Sequence, residues 1–309
     1  MVLHGPRAAS AGAFLDCAIE TQDGHIAGAA IARGSGVVGG AAAGAGLRRH
    51  APDRIARAWP TFDRGDWAWE YLRRNRSYQN DCRAATPRTL PCVTLRDGTA
   101  LVRLRRRYLH AERWGLVAFT DPSRPTRTAP VFWMPAVSRR VVHARCDMAS
   151  DRSRMMRLAQ FRAQRSAVIG VDHVPVVAIG GPGFNVGLVA HGWYVLTRPA
   201  ALTFELDGFD ELGTRIECLQ LLQRLAKSRA LPRARRSTRT TNERLFQALV
   251  ALDGSLAGRS YREIATTIFG RKRVAQDWDA PSRYLKDRTR RLVAKGHELM
   301  NGGYRDLLS

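Results

Sequence analysis

The spacing of apolar residues divides the chain into four stretches. Residues 1–52 carry no sustained period. Gly and Ala dominate there, as in GVVGGAAAGAG, and such segments bury too little surface to offset their ordering entropy, so a disordered tail is expected. Residues 53–136 read as an aromatic-rich domain with Trp59, Trp67, Trp69, Tyr71 and Tyr78 close together. From Asp66 to Ala85, the positions of Trp67, Tyr71, Leu72 and Tyr78 approximate one helical face. A small aromatic core is the favoured reading. Because Arg73, Arg74 and Arg76 lie beside it, an aromatic surface that stacks bases or docks a partner stays open as the second. The run LVRLRRRYLHAER reads either as a basic helix face or as a strand with its arginines outward. WGLVAFTDPSRPTRTAPVFWMP reads as two short strands around a Pro-rich turn region, at the edge of the domain.

Residues 137–230 read as a β-rich region with a closing helix. Short apolar runs broken by Gly and Pro predict strands at Arg139–Arg145, Val174–Ile179, Val186–Ala190, Trp193–Leu196 and Leu202–Leu206. GGPGFNVG (Gly180–Gly187) lacks both the P-loop pattern and a following helix, so it predicts a hairpin turn rather than a nucleotide site. Over Asp210–Ser228, a helix is expected with Leu212, Ile216, Leu219, Leu222 and Leu225 on one face. The Pro- and Arg-rich KSRALPRARRSTRT follows as a linker.

The most informative stretch is 237–309. TNERLFQALVALDG predicts a helix with Leu245, Leu249 and Leu252 inward, opened by a Thr240/Glu243 capping box and stopped near Gly254. Ser260 and Glu263 repeat that signature before a second helix, in which Tyr261, Ile264, Ala265, Ile268 and Phe269 form one apolar stripe ended by Gly270. A third helix is expected from Asp279–Pro281, with Leu285, Thr289, Leu292, Val293, Leu299 and Met300 facing in. Arg283, Lys286, Arg290 and His297 then fall in one flanking stripe, with Arg291 and Lys295 on the other flank. Asp287 and Glu298 lie between the flanks, at the back. Nine residues, 271–279, separate the second and third helices, longer than a tight turn, so part of this stretch is open to being helical and the segment that enters a groove is left undecided. Tyr304, Leu307 and Leu308 are placed to fold back after Gly302–Gly303. The fold class expected is α+β, with a C-terminal all-α helix-turn-helix domain.

Charge sharpens this picture. Lys+Arg 50 against Asp+Glu 27 gives +23 and a pI of about 11.2. Over residues 227–309 the balance is 19 against 8. Most of the cations are arginines, whose planar fork fits phosphates and guanine edges. Three short helices with a cationic last one suit docking in a DNA major groove. The DNA-contacting residues expected are Arg271, Lys272 and Arg273 on the phosphate backbone, with Arg283, Lys286, Arg290 and Arg291 on the recognition helix. An arginine-biased chain with a solvated helix bundle is the bland alternative.

Five scattered cysteines form no CxxC pair, which predicts neither a disulfide framework nor a zinc ribbon, and points to reducing cytoplasm. His143 and Cys146 have no second ligand pair and read as ordinary sheet or loop residues. No apolar run reaches 18 residues, and Asp16 and Glu20 interrupt the early run Ala11–Ile19, so neither a membrane partner nor a signal peptide is expected. With no paired-carboxylate metal motif, Ser/His/Asp grouping or Cys/His nucleophile signature, no catalytic residue, metal site or cofactor is assigned.

DWAWEYLRRN, WGLVAFTDP, VFWMP, ALDGSLAGRSYREIATTIFG, DWDAPSRYLKDRTRRLVAKG and GGYRDLL together resemble one bacterial family. It includes FseA-type activators of integrative and conjugative elements and the RovC-type activator of type VI secretion genes. The resemblance covers roughly 55–309. It implies transcriptional activation through double-stranded promoter DNA, with no cofactor and no enzyme activity. It certifies no base-contacting residue, so the contacts named above rest on helix geometry. A homo-oligomer is expected, because one small helix-turn-helix reads few base pairs, and the N-terminal and middle parts are expected to form an assembly or RNA polymerase-contacting body. A non-specific RNA-binding or nucleoid-type protein driven by charge alone is the competing reading.

Overall fold

The computed structural model describes residues 55, 58–85, 90–128, 130–148, 155–206, 208–227 and 236–309. The expected tail at 1–52 and most of the expected linker lie outside the described residues. Among the described residues, seven strands form one mixed sheet: β1 (Cys92–Thr94), β2 (Ala100–Arg103), β3 (Val141–Asp147), β4 (Gln164–Ile169), β5 (Pro175–Gly181), β6 (Phe184–His191) and β7 (Ala201–Glu205). Their order is β1-β2-β4-β5-β6-β3-β7, with β2/β4 and β3/β6 parallel and the other pairs antiparallel. Pro182 and Gly183 turn β5 into β6, with Gly181 opposite Phe184. Gly183 takes φ 80, the left-handed geometry such a turn requires of its third residue. The expected hairpin is therefore present.

Residues alternate across the sheet. Val177 and Ile179 of β5 and Val186, Leu188 and Ala190 of β6 are buried on one face. That face is covered by a helix over Leu212–Lys227 through Cys218, Leu221, Leu222 and Leu225. The expected inward face of this helix is corrected by one position: Leu221 is buried, while Ile216 is 40% exposed. Val102, Leu104, Ala118, Phe132 and Val168 form a second, smaller cluster. The run LVRLRRRYLHAER is strand β2, then a loop, then a short helix at Leu109–Glu112. The two strands expected around the Pro-rich turn shrink to a single Leu116–Trp133 bridge. Trp193–Leu196 is a 3-10 turn, not a strand, because Gly192 at φ 138 ends the extended chain where it presses against Cys146. His143 and Cys146 are both β3 residues.

Among the described residues the α-helices, in chain order, are α1 (Arg64–Leu72), α2 (Arg76–Ala84), α3 (Leu109–Glu112), α4 (Leu212–Lys227), α5 (Arg236–Leu256), α6 (Tyr261–Phe269), α7 (Arg271–Asp277) and α8 (Tyr284–Met300). The helix expected over Asp66–Ala85 is two helices. Asn75 breaks it and caps α2, its side chain accepting from the Tyr78 N–H at 3.1 Å. A reciprocal Asp63–Asp66 capping box opens α1. Every residue from Trp67 to Leu72 is buried, as befits a helix covered on all sides. The aromatic cluster is thus core, and the alternative of a base-stacking surface is set aside. Arg73 and Arg74 are buried too, held by Glu70 at 2.7 and 2.8 Å.

One side of α1 is covered by Tyr78, Leu116 and Trp133, the other by the C-terminal helices. Trp67 Nε1 donates to Asn242 Oδ1 at 2.9 Å, the Tyr71 hydroxyl to the Leu245 carbonyl at 2.7 Å, and Asn75 Nδ2 to the Met300 carbonyl at 3.1 Å. Trp59 stacks on Phe246 with centroids 5.2 Å apart. Leu249, Leu252, Leu299, Met300, Tyr304 and Leu308 join the same apolar cluster as Trp67, Trp69 and Tyr71. The sheet, in turn, takes strands from both sides of residue 136.

Three details of the C-terminal helices depart from expectation. Residue Thr240 lies inside α5, which already begins at Arg236, so it caps nothing. The same helix runs on through Gly254, which is buried against Ile264; a Cβ there would lie 2.8 Å from Ile264 Cγ1. The stop comes at Gly258, with φ 71. Finally, α8 begins at Tyr284 rather than at Asp279–Pro281. Gly296 of α8 meets α5 so closely that a Cβ would sit 2.7 Å from the Ala248 carbonyl oxygen, a backbone atom. Gly296→Ala is expected to cost about 1–3 kcal/mol by overpacking. An unchanged chemical-denaturation midpoint would show that α5 and α8 can separate freely.

Candidate nucleic-acid interface

The helix α6 is set by its cap. Ser260 accepts from the Glu263 N–H, while Glu263 Oε2 accepts from the Ser260 N–H and hydroxyl, both at 2.8 Å. These bonds hold the Glu263 carboxyl below its ordinary value. Ile264 and Ala265 are buried, Ile268 and Phe269 half-buried, and Tyr261 is exposed, so the expected stripe narrows toward the helix centre. Gly270 at φ 89 ends α6 and starts α7 at once. The 271–279 stretch is therefore mostly helical, and the C-terminal unit has four helices, not three. Ala265, Val274 and Leu285 share one small core with Phe269 and Trp278, which pins α7 and the first turn of α8 to α6.

The exposed side of α8 follows from its buried side. Leu285, Thr289, Val293, Gly296, Leu299 and Met300 are buried, with Leu292 half-buried. Arg290 and Arg291 are exposed on the other side, and Arg283 stands exposed just before the first turn at φ 49. Arg290 lies 3.6 Å from Asp287, an exposed pair of the kind worth a few tenths of a kcal/mol, which leaves its guanidinium available to a stronger anion. No carboxylate lies within ion-pair distance of Arg283 or Arg291 among the described residues.

The other expected contacts divide. Arg271, Lys272 and Arg273 are exposed on α7, and Arg273 is paired with Asp277 at 3.5 Å. Lys286 is half-buried, 3.0 Å from Asp279 and over the Trp278 ring, so it props the 278–283 turn as much as it faces outward. His297, expected on the cationic stripe, turns to α5 and shares a 3.0 Å hydrogen bond with Ser255. Arg288 lies over Phe269 and donates to Gln247. Arg271 lines a shallow groove on the outer face of α6 together with Arg259 and Arg262. Those last two were not among the residues singled out from sequence. Single arginines outside a periodic run give no signal of the groove they share.

Among the described residues no group of three or more His, Cys, Asp or Glu is arranged to hold a metal. None of the described helices is long and apolar enough to cross a membrane.

Comparison with known families agrees with this layout. A model described as the RovC DNA-binding domain of a T6SS transcription factor matches residues 203–309. Another, described as a proteobacterial transcriptional regulator-like domain, matches residues 49–117. No curated protein matches the chain. The first match holds α4 to α8, and the second holds α1 to α3 with β1 and β2. Carrying both signature domains in this order, the chain is a DNA-binding transcriptional regulator of the RovC- and FseA-like family.

Proposed function

We propose that α5–α8 act as a helix-turn-helix unit that binds promoter DNA sequence-specifically, and that the chain activates genes of a secretion or mobile-element transfer system. In this reading α8 is the recognition helix. Arg283, Arg290 and Arg291 meet base edges and nearby phosphates, Lys286 supports them, and Arg271, Lys272 and Arg273 hold the backbone. The observation that carries it is the exposed cationic side of α8, opposite a fully packed inner face, within the matched DNA-binding segment. The chain works as a homo-oligomer, since one such unit reads too few base pairs for useful discrimination, and its sheet-bearing body contacts RNA polymerase. Neither a cofactor nor a catalytic step is needed.

The test uses the full chain and a duplex selected by it from random DNA, against a scrambled duplex, over a salt series. A preference on the order of a thousandfold that survives moderate salt is expected. Arg283→Ala with Arg290→Ala is expected to cost about 1–3 kcal/mol for each base no longer read and to relax the preference, without altering the melt. Unchanged affinity in that folded double variant would remove α8 as the reading helix. Equal, salt-sensitive binding to both duplexes would favour charge-driven, non-specific binding.

A further inference from the structure

The groove on the outer face of α6 has a composition of its own. Arg259 precedes the α6 cap, Arg262 lies on its first turn, and Arg271 is brought to the same rim by the left-handed turn at Gly270. All three are exposed, and no carboxylate lies within ion-pair distance of any of them among the described residues. This sets them apart from Arg273, Lys286, Arg290 and Lys295, each of which has an acidic partner. The one acid in the groove, Glu263, is committed to the Ser260 N–H and hydroxyl. The Thr266 and Thr267 hydroxyls donate to the Arg262 and Glu263 carbonyls at 2.8 and 3.0 Å. The groove therefore offers three exposed guanidiniums whose charge no carboxylate within ion-pair distance neutralises among the described residues. Phosphate oxygens, which only accept and carry the negative charge, suit such a cluster; a guanine edge also accepts from arginine, and comparing two duplexes separates the two.

We infer that this groove, through Arg259, Arg262 and Arg271, is a second DNA contact that grips the phosphate backbone beside the stretch read by α8. The inference rests on the proposed DNA-reading function. It assigns Arg259 and Arg262 a positioning role: they add affinity and fix register but no sequence preference.

The test is Arg259→Ala with Arg262→Ala in the full chain, measured by fluorescence anisotropy on the selected and scrambled duplexes from about 50 to 200 mM salt. Both residues are exposed, so the melt is expected to stay where it was. Binding should weaken equally on both duplexes, and the salt slope should fall by roughly two. Across that salt range the parent then loses roughly tenfold more affinity than the variant. Arg259→Lys with Arg262→Lys should keep the slope, because the charge remains. An unchanged slope in the folded alanine variant, while the parent binds DNA, overturns the groove and leaves the function standing. A weakening confined to the selected duplex also overturns it, since that marks base contact. A parent chain that binds no duplex DNA takes both readings down.

Discussion

The full-length chain carrying Glu70→Ala is expected to melt on the order of 10 °C below the parent. Glu70 is fully buried, and its carboxylate accepts from Arg73 Nε at 2.7 Å, from Arg74 Nη1 at 2.8 Å and from the Thr126 N–H at 2.8 Å. Burial by itself would raise its pKa, but the Arg74 and Arg73 guanidiniums and the Thr126 N–H outweigh it and hold the carboxyl below its ordinary value. Removing it leaves two guanidiniums in the core short of their counter-charge, a loss of about 3–5 kcal/mol for a buried pair broken from one side. Arg74 retains Asp253, at 2.5 and 2.9 Å, which keeps the loss from growing further. The pH dependence has a definite sign. Because the folded pKa is depressed, the stabilisation is present above the ordinary glutamate value and is lost as pH falls through the folded pKa. The parent should thus lose stability through this group as pH falls below the ordinary glutamate value, and Glu70→Ala should flatten that part of the profile. A shift of only about 2 °C would mean that the two arginines find solvent once the carboxylate is gone.

Residues 237–309 expressed alone are expected not to fold cooperatively, although they span the helices proposed to bind DNA. In the whole chain, Leu249, Leu252, Leu299, Met300, Tyr304 and Leu308 pack with Trp67, Trp69 and Tyr71, and Asn242 is pinned by Trp67. Without α1 and its neighbours, that apolar surface is bared to water. The fragment should retain helical far-ultraviolet dichroism, lack near-ultraviolet fine structure and bind a hydrophobic dye. A sharp, reversible melt with dispersed amide resonances would instead establish that α5–α8 hold their own core.

The parts legible in the sequence are those set by neighbours. The Pro182–Gly183 turn and the Ser260–Glu263 cap depend on residues within a few positions of one another, and both formed as read. The expected cap at Thr240 follows the same pattern with Thr in place of Ser, but α5 had already begun four residues earlier, so it had no orphan N–H groups to satisfy. Gly254 looked like a stop and serves as a close contact, because Ile264 arrives from the next helix. Periodicity tells which side of a helix is apolar, not what will cover it. Arg73 and Arg74 therefore resembled surface cations: the Asp253 partner of Arg74 is 179 residues away. For the same reason α7 was hard to read, with Val274 its only buried residue. On the interface, α8 was legible as a cationic helix, while the grouping of Arg259 and Arg262 with Arg271 needed the turn at Gly270 to be seen in three dimensions.

The Trp67–Asn242 bond spans 175 residues, which has a consequence during synthesis. At about 5–20 residues per second, α1 leaves the ribosome roughly ten to thirty-five seconds before the helix that will cover it. For that interval Trp67 and Tyr71 lack the partners that α5 supplies, while Trp69 already has Tyr78 beside it. Slower translation lengthens that interval, so the order in which the chain is made, and not only its final contacts, bears on how this core closes.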